Sequence, residues 1–478
     1  MPPLPARFRS SLALCLVLAA AATACRSAAI VADDERGAAP AVPTVPATTA
    51  ATSARAASAF EAEVEESIAR ASDYLVRHQR DDGSFVYLVN LNPEVSPPKK
   101  YNLLRHAGTL YALAQRVRGH PNVKIDRTLH RGHAFLRSKI GPLQVAREAT
   151  SEGSPSPTEG GPSPAGEVPS PTGGGPSPVQ SPSDGGPSLS EEISPSPPAV
   201  AVFSSPNVVK LGGAGLALTA LETWAEADPS QADDATAEGL GHFIAAMQRE
   251  DGSFYSKYYP KSQRFESKWV SLYYPGEAAL GLLLLDRRRP GANFGRVAVR
   301  ALTHLADRRR PLDRVPPDHW ALIATAQWLQ GPGRNASPPT RAALLEHART
   351  IVDQLLDERI PRSKKSPLHG AWDSLGRTTP TATRLEGLLA MAPHLDPLRR
   401  DRIEAAAQPA LAFLIRAQVK EGRHAGGIRR AMLTVDKKGR EAERFNRRAT
   451  EIRIDYVQHA MSAWMAWLDL RRRSEPPP

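Results

Sequence analysis

One segment of this chain occurs twice, and the repeat decides most of what the chain can fold into. Tyr74-Leu-Val-Arg-His-Gln-Arg-Asp-Asp-Gly-Ser-Phe85 returns as Phe243-Ile-Ala-Ala-Met-Gln-Arg-Glu-Asp-Gly-Ser-Phe254, so that Gln79, Gly83 and Phe85 match Gln248, Gly252 and Phe254. A weaker third copy is Leu414-Ile-Arg-Ala-Gln-Val-Lys-Glu-Gly422. Each copy closes an amphipathic helix with a glycine turn, the usual chemistry of a helix stop. A unit of this kind cannot bury its apolar face alone, and it becomes stable by stacking on further copies of itself.

A second helix follows each turn. Its clearest copies begin at Asn102-Leu-Leu-Arg-His, Asn207-Val-Val-Lys-Leu and Ser271-Leu-Tyr-Tyr-Pro, with looser ones at Asp318-His-Trp, Thr381-Ala-Thr-Arg and Asp455-Tyr-Val-Gln-His. These helices are small and apolar on nearly every face, which marks them as buried, whereas the helices before the turns carry a charged face. The pairs are 60–80 with 101–118, 125–140 with 207–226, 233–249 with 271–286, 293–309 with 318–330, 339–359 with 379–393 and 400–419 with 450–472. Six outer and six inner helices close into an all-α (α/α)6 toroid over residues 59–478. Residues 149–199, full of Pro, Gly and Ser, interrupt the second hairpin and read as a disordered insertion.

The Gln-x3-Gly-x-Phe pattern resembles the repeat of the terpenoid cyclase and protein prenyltransferase toroids, whose rings are related in shape to the six-hairpin glycosidases, sugar epimerases and some polysaccharide lyases. The departures matter. The resemblance would imply an Asp-x-Asp-Asp or Asp-Asp-x-x-Asp acid motif for isoprenoid chemistry, and neither occurs beyond the first 25 residues. The prenyltransferase zinc set and the thioester of complement-like rings both need a cysteine that is missing there. The resemblance therefore extends to the architecture and not to the isoprenoid reaction.

The first residues address the compartment. Arg7 and Arg9 precede an apolar stretch that ends in Ala22-Thr23-Ala24-Cys25, the layout of a secretory signal over residues 1–25. The small residues before Cys25 resemble the lipobox of bacterial lipoproteins, which implies lipidation of Cys25, with ordinary cleavage nearby as the alternative. Residues 26–58, rich in Ala, Thr and Pro, read as a disordered tether. The expectation is a lipid-anchored protein of the bacterial cell envelope, its folded part in the periplasm or on the cell surface. The chain has two cysteines, Cys15 and Cys25, so its folded part lacks disulfides, a cysteine nucleophile and zinc–thiolate sites. The net charge is +11. Clusters such as Arg287–Arg289, Arg308–Arg310 and Arg471–Arg473 fall where helices end and cations meet the helix dipole favourably. An exported chain makes nucleic acid an unsuitable partner, and an anionic polysaccharide a better one.

In such a ring the inner-helix N-termini open on one face. Asn102, Asn207, Ser271 and Asp455 share a register that suits N-caps. Capping does not explain Arg105, Lys210, Tyr274, His106 or His459, because cations are disfavoured at a helix N-terminus unless an anion compensates them. The expected catalytic set is Glu277, Asp318, Asp455, His459 and His106. Asp455 and His459, like Asn102 and His106, stand four apart on one helical face. A carboxylate that orients an imidazole makes a general base, and paired carboxylates are the equipment of glycoside cleavage. Asn102, Arg105, Lys210, Tyr273, Tyr274, His319, Trp320, Arg384 and Glu386 are the expected substrate-binding groups. No cofactor or metal is expected, since the histidines lack His-x3-His spacing. The leading expectation is a monomeric, carbohydrate-active hydrolase, lyase or epimerase. A non-catalytic glycan-, peptide- or protein-binding lipoprotein is the first alternative, and a terpenoid-cyclase-like enzyme the second.

Overall fold

A computed structural model of the chain describes residues 47–96, 100–145, 198–436 and 438–474. The signal segment with Cys25, most of the expected tether and residues 149–197 of the expected insertion lie outside the described residues. Contacts divide the chain into Met1–Arg55 and Ala56–Pro478, and apart from the first turns of the helix that begins at Ala47 everything below concerns the second unit.

Inner helices are α2 (Leu103–Gly119), α4 (Leu211–Ala227), α6 (Tyr274–Arg288), α8 (His319–Gln330), α10 (Thr378–Met391) and α13 (Ile454–Ser474). Each packs on the next, and α13 packs back on α2, so the ring is closed. Outside it run α1 (Ala47–Arg77), α3 (Val123–Arg137), α5 (Asp234–Ala246), α7 (Phe294–Arg309), α9 (Pro338–Asp357) and α11 (Pro397–Ala417). Helix α1 starts ahead of the expected residue 60 because the alanine-rich stretch before it favours helix. The glycines and alanines of the inner ring let neighbouring axes approach closely. A Cβ on Gly215 of α4 would lie 2.7 Å from the Ala278 nitrogen of α6.

The repeat has a specific job. The Gln79 amide, just past α1, donates to the Thr128 carbonyl of α3 at 2.8 Å and to its own turn at Gly83 (3.2 Å). Gln248 does the same from α5 to Val297 of α7, at 2.9 Å, and to Gly252 (3.1 Å). Gln418 repeats the contact from α11 to Ser67 of α1, at 2.9 Å. Each glutamine therefore ties the end of one outer helix to the backbone of the next. The turn glycine sits against that same helix: with φ of +84° and +85°, Gly83 and Gly252 place a would-be Cβ 2.1 and 2.8 Å from the Arg131 and Arg300 carbonyl oxygens. In the third copy this place belongs to Gly426, not Gly422, because the turn is longer: a Cβ there would meet the Arg70 oxygen, while Gly422 faces open space.

The hairpins are not purely helical. Strands β1 (Leu88–Asn90) and β7 (Glu451–Arg453) pair antiparallel and join the first hairpin to the last. Strands β2 (Ile140–Pro142), β3 (Val200–Ser205), β4 (Val208–Lys210), β5 (Lys257–Tyr259) and β6 (Arg264–Phe265) form a second small sheet. The β-branched pair Val208-Val209 takes part in this sheet, where it fits a pleated surface better than a helix. Helix α4 therefore starts at Leu211 and not at the expected Asn207. An additional short helix, α12 (Arg440–Ala449), lies in the last connection.

Gly83→Ala should lower stability by about 2 kcal/mol or more, since it combines left-handed strain with a backbone clash. Gln248→Ala, which leaves two carbonyls without their donor, should cost about 1–3 kcal/mol. Urea unfolding measures both, and unchanged midpoints would contradict the clamp.

Candidate active site

The connections from outer to inner helices surround a cavity of about 520 Å³ at the inner-helix N-termini. Its floor is built by all six inner helices, α2, α4, α6, α8, α10 and α13, and its rim by the segments before α10 and around β7. Arg105, Tyr273, Glu277, His319, Trp320, Arg384, Asp455 and His459 all line it, and these are eight of the residues expected from the sequence.

Two histidines define the floor. His319 is the first residue of α8, with both ring nitrogens buried and without a hydrogen-bond partner. His459, on α13, stands across from it with ring centroids 5.6 Å apart and planes at 74°. The Nδ1 of His459 meets the Glu386 carboxylate of α10 at 2.9 and 3.2 Å. Glu386, not Asp455, therefore orients this imidazole, which corrects the expectation drawn from helical spacing. The two rings differ electrically. Burial, with a smaller contribution from His459, pushes His319 well below the ordinary histidine value. Burial alone would lower His459 too, but the charge and hydrogen bond of Glu386 outweigh it and hold His459 above that value. His319, Glu386 and His459 also place one ligand atom each within 4.8 Å of one another, and they form the one such group found among the described residues. Of these groups, only His319 lacks a partner within the protein.

Two carboxylates share the cavity in opposite states. Glu277, in the first turn of α6, is buried with Oε2 unpartnered. Burial and then the nearby Asp318 push its carboxyl well above the usual range. Asp455 is held by two arginines: Arg105 Nε donates to it at 2.9 Å and Arg453 Nη2 at 2.8 Å. Burial raises the Asp455 carboxyl, but Arg453 and Arg105 more than offset this and keep it below the carboxylate range. The surroundings therefore favour the neutral form of Glu277 and the ionised form of Asp455.

The remaining expected residues stand outside the cavity. Asp318 caps α8 by accepting from the Ala321 N–H at 3.1 Å, and it pairs with the buried Arg309 of α7 at 2.8 Å. His106 joins α2 to α3, with its ring nitrogens 2.7 Å from the Tyr101 hydroxyl and 3.0 Å from the Gly132 carbonyl. Asn102 caps α2 through the Arg105 N–H. Lys210 lies in register with Lys257 in the sheet and precedes α4. Tyr274 packs edge-on to Trp269. The expected shared N-cap register is not kept: Asn102 caps α2, but the N-cap positions of α4 and α6 are Lys210 and Tyr273, and Asp455 lies inside α13, so each inner helix starts at a different point. Sequence reasoning missed Asp373, Arg377, Arg430, Arg448 and Arg453 on the rim. A signal existed in the density of basic residues from Arg429 to Arg453, within the connection that follows the third repeat.

No protein-family model matches the chain, and no curated protein matches it by sequence. Solved structures do match in shape. A sugar epimerase from a ruminal bacterium superposes with a TM-score of 0.55 at 10% identity, covering 87% of this chain and 100% of its own. Cellobiose 2-epimerase from Spirochaeta thermophila gives 0.54 at 12%, covering 90% and 100%. An alpha-1,6-mannanase from Salegentibacter sp. HEL1_6 gives 0.51 at 8%, covering 86% and 99%. The fold is an (α/α)6 toroid. At these identities the likeness extends to the fold alone, so any chemistry has to be argued from the side chains.

Asp318→Asn should destabilise the fold by about 3–5 kcal/mol, because Arg309 is left buried with no counter-charge. Chemical denaturation would show this, and a fully stable variant would remove Asp318 from its structural place.

Proposed function

We propose that the protein is a carbohydrate-active enzyme that moves a proton on a sugar held in the toroid, in the manner of an epimerase or isomerase. One observation carries the reading: two facing imidazoles whose surroundings favour opposite protonation states. Titratable partners pushed apart in this way identify a base and an acid. Neutral His319 takes the proton from the carbon next to the sugar carbonyl. The C–H electron pair moves into the new C–C double bond, and negative charge develops on the carbonyl oxygen. Protonated His459 then delivers a proton to the same carbon from the opposite face, the C–C double-bond pair forms the new C–H bond and the oxyanion re-forms the carbonyl, leaving His319 charged and His459 neutral until solvent resets them. Neutral Glu277 can donate a hydrogen bond to the developing oxyanion. Trp320 and Tyr273 offer apolar faces against which a sugar ring can stack.

Glycoside hydrolysis is the second reading. It is favoured by the paired states of Glu277 and Asp455, one neutral and one ionised. Against it, both Asp455 oxygens are already engaged by guanidinium groups.

Incubation of a panel of aldoses and disaccharides in D2O, followed by proton NMR, separates the two. The expected result is exchange of deuterium at the carbon beside the carbonyl, lost by at least about 100-fold in His319→Asn and in His459→Asn. Release of new reducing ends without deuterium exchange would favour hydrolysis and overturn the proton-transfer reading. Activity should be bell-shaped in pH. The acid limb falls below the ordinary histidine value, where His319 becomes protonated, and the alkaline limb lies above it, where His459 loses its proton.

The envelope location completes this reading as a proposal. A basic start, an apolar stretch and small residues ending at Cys25 support export and lipidation. Cys25→Ser should move the protein from the membrane fraction to the soluble fraction, and an unchanged membrane fraction would exclude the anchor.

A further inference from the structure

Six arginines line the cavity: Arg105, Arg377, Arg384, Arg430, Arg448 and Arg453. Four of them share three carboxylates. Arg105 and Arg453 both bind Asp455, Arg377 pairs with Asp373 at 2.7 Å, and Arg448 pairs with Glu451 at 2.9 Å. The other two have no carboxylate partner among the described residues. Arg384 donates only to the Pro380 carbonyl of its own helix at 3.2 Å. Arg430 lies over the Phe445 ring, 4.6 Å from its centroid, with one contact to the Phe445 carbonyl at 3.5 Å. Both side chains are half-buried, and burial works against their charge. Glu277 makes no ion pair with either among the described residues, and its Oε2 has no partner.

The contrast with the rest of the molecule sharpens the point. At the far ends of the inner helices the arginine clusters are matched: Arg287 pairs with Glu226, Arg288 with Glu222 and Arg471 with Glu61. Arg384 and Arg430 differ from these in facing the cavity that holds the histidines without a carboxylate in ion-pair contact. A guanidinium presents a planar fork of donors that matches an oxyanion, and it is more weakly hydrated than an ammonium. Neither fork is in ion-pair contact, with Glu358 and Asp373 acting on Arg384 and Glu451 on Arg430 only from farther off, so two forks facing a concave site fit an anionic group on the ligand.

We propose that the sugar bound in this cavity carries an oxyanion, a carboxylate or a sulfate ester, and that Arg384 and Arg430 are the residues that select for it. The inference rests on the carbohydrate reading above and names the substrate class for the same site. Arg105 and Arg453 stay on Asp455 and hold it in place, while Arg384 and Arg430 meet the ligand. The neutral part of the sugar is left to Trp320, Tyr273 and the histidines.

Binding tests this apart from turnover. Isothermal titration at low salt would compare glucuronate and galacturonate oligosaccharides, sulfated hexosamine oligosaccharides and neutral cellobiose and mannobiose. At least one anionic set should bind tenfold or more tightly than the neutral sugars, and raising the salt should reduce that advantage. The set that binds decides between carboxylate and sulfate. Arg384→Gln and Arg430→Gln should each reduce the preference about tenfold and leave the neutral sugars unchanged. Arg384→Lys and Arg430→Lys, which keep the charge without the fork, should fall between. Neutral sugars binding as tightly as anionic ones, or no member of the panel binding, would overturn the proposal in the wild-type protein, whatever the variants do. So would a uniform loss of all ligands in the variants. Deuterium exchange on neutral sugars alone would overturn it while sustaining the proton-transfer reading. Selective binding of anionic sugars without deuterium exchange would sustain it and sink that reading.

Discussion

A glutamine side chain that ends one outer helix on the backbone of the next sets the geometry on which everything else depends. Gln79, Gln248 and Gln418 reach from α1 to α3, from α5 to α7 and from α11 back to α1. The third of these joins the last outer helix to the first, so the same contact that spaces the units also closes the ring. The glycine in each turn allows the approach, since any side chain there would enter the neighbouring backbone. With the outer helices spaced in this way, the inner ones meet around a common axis, and their N-termini surround one cavity.

Ring closure concentrates electrostatics. Inner helices without polar faces bury Glu277, Glu386, His319 and His459 among alanine and leucine, where water can no longer level their proton affinities. What differs among them is then the nearest partner. Glu386 beside His459 makes a cation favourable, whereas His319 has only another imidazole and stays neutral. Two guanidinium groups converge on Asp455 and favour its anion, whereas burial and the nearby Asp318 favour the neutral form of Glu277. Within one cavity the surroundings thus favour neutral His319 and Glu277, a cationic His459 and an anionic Asp455.

Segments outside the hairpin pattern complete the site. The β1–β7 pairing brings residues from the two ends of the ring into register and places Arg453 beside Asp455. The connection that carries Arg430 bridges to the backbone ahead of α10 through Arg377 and Ala431. These connections carry Arg430, Arg448 and Arg453 to the rim.

The sequence by itself determined the toroid, because hydrophobic periodicity and the glutamine–glycine turns are local patterns that recur along the chain. It also determined the face of the ring that bears the cavity, since that face follows from the order of outer helix, turn and inner helix. Only the tertiary structure decided which residues at that face meet. Asn102, Asp318 and His106 satisfy local or interhelical contacts, while Glu386, expected only to touch substrate, is the group that orients His459. Partners such as Glu386 and His459 lie on different helices far apart in the chain. Their pairing depends on where each helix starts and how it is rotated, and hydrophobic periodicity cannot report that. The repeat specifies the ring, and contacts across the ring specify the site.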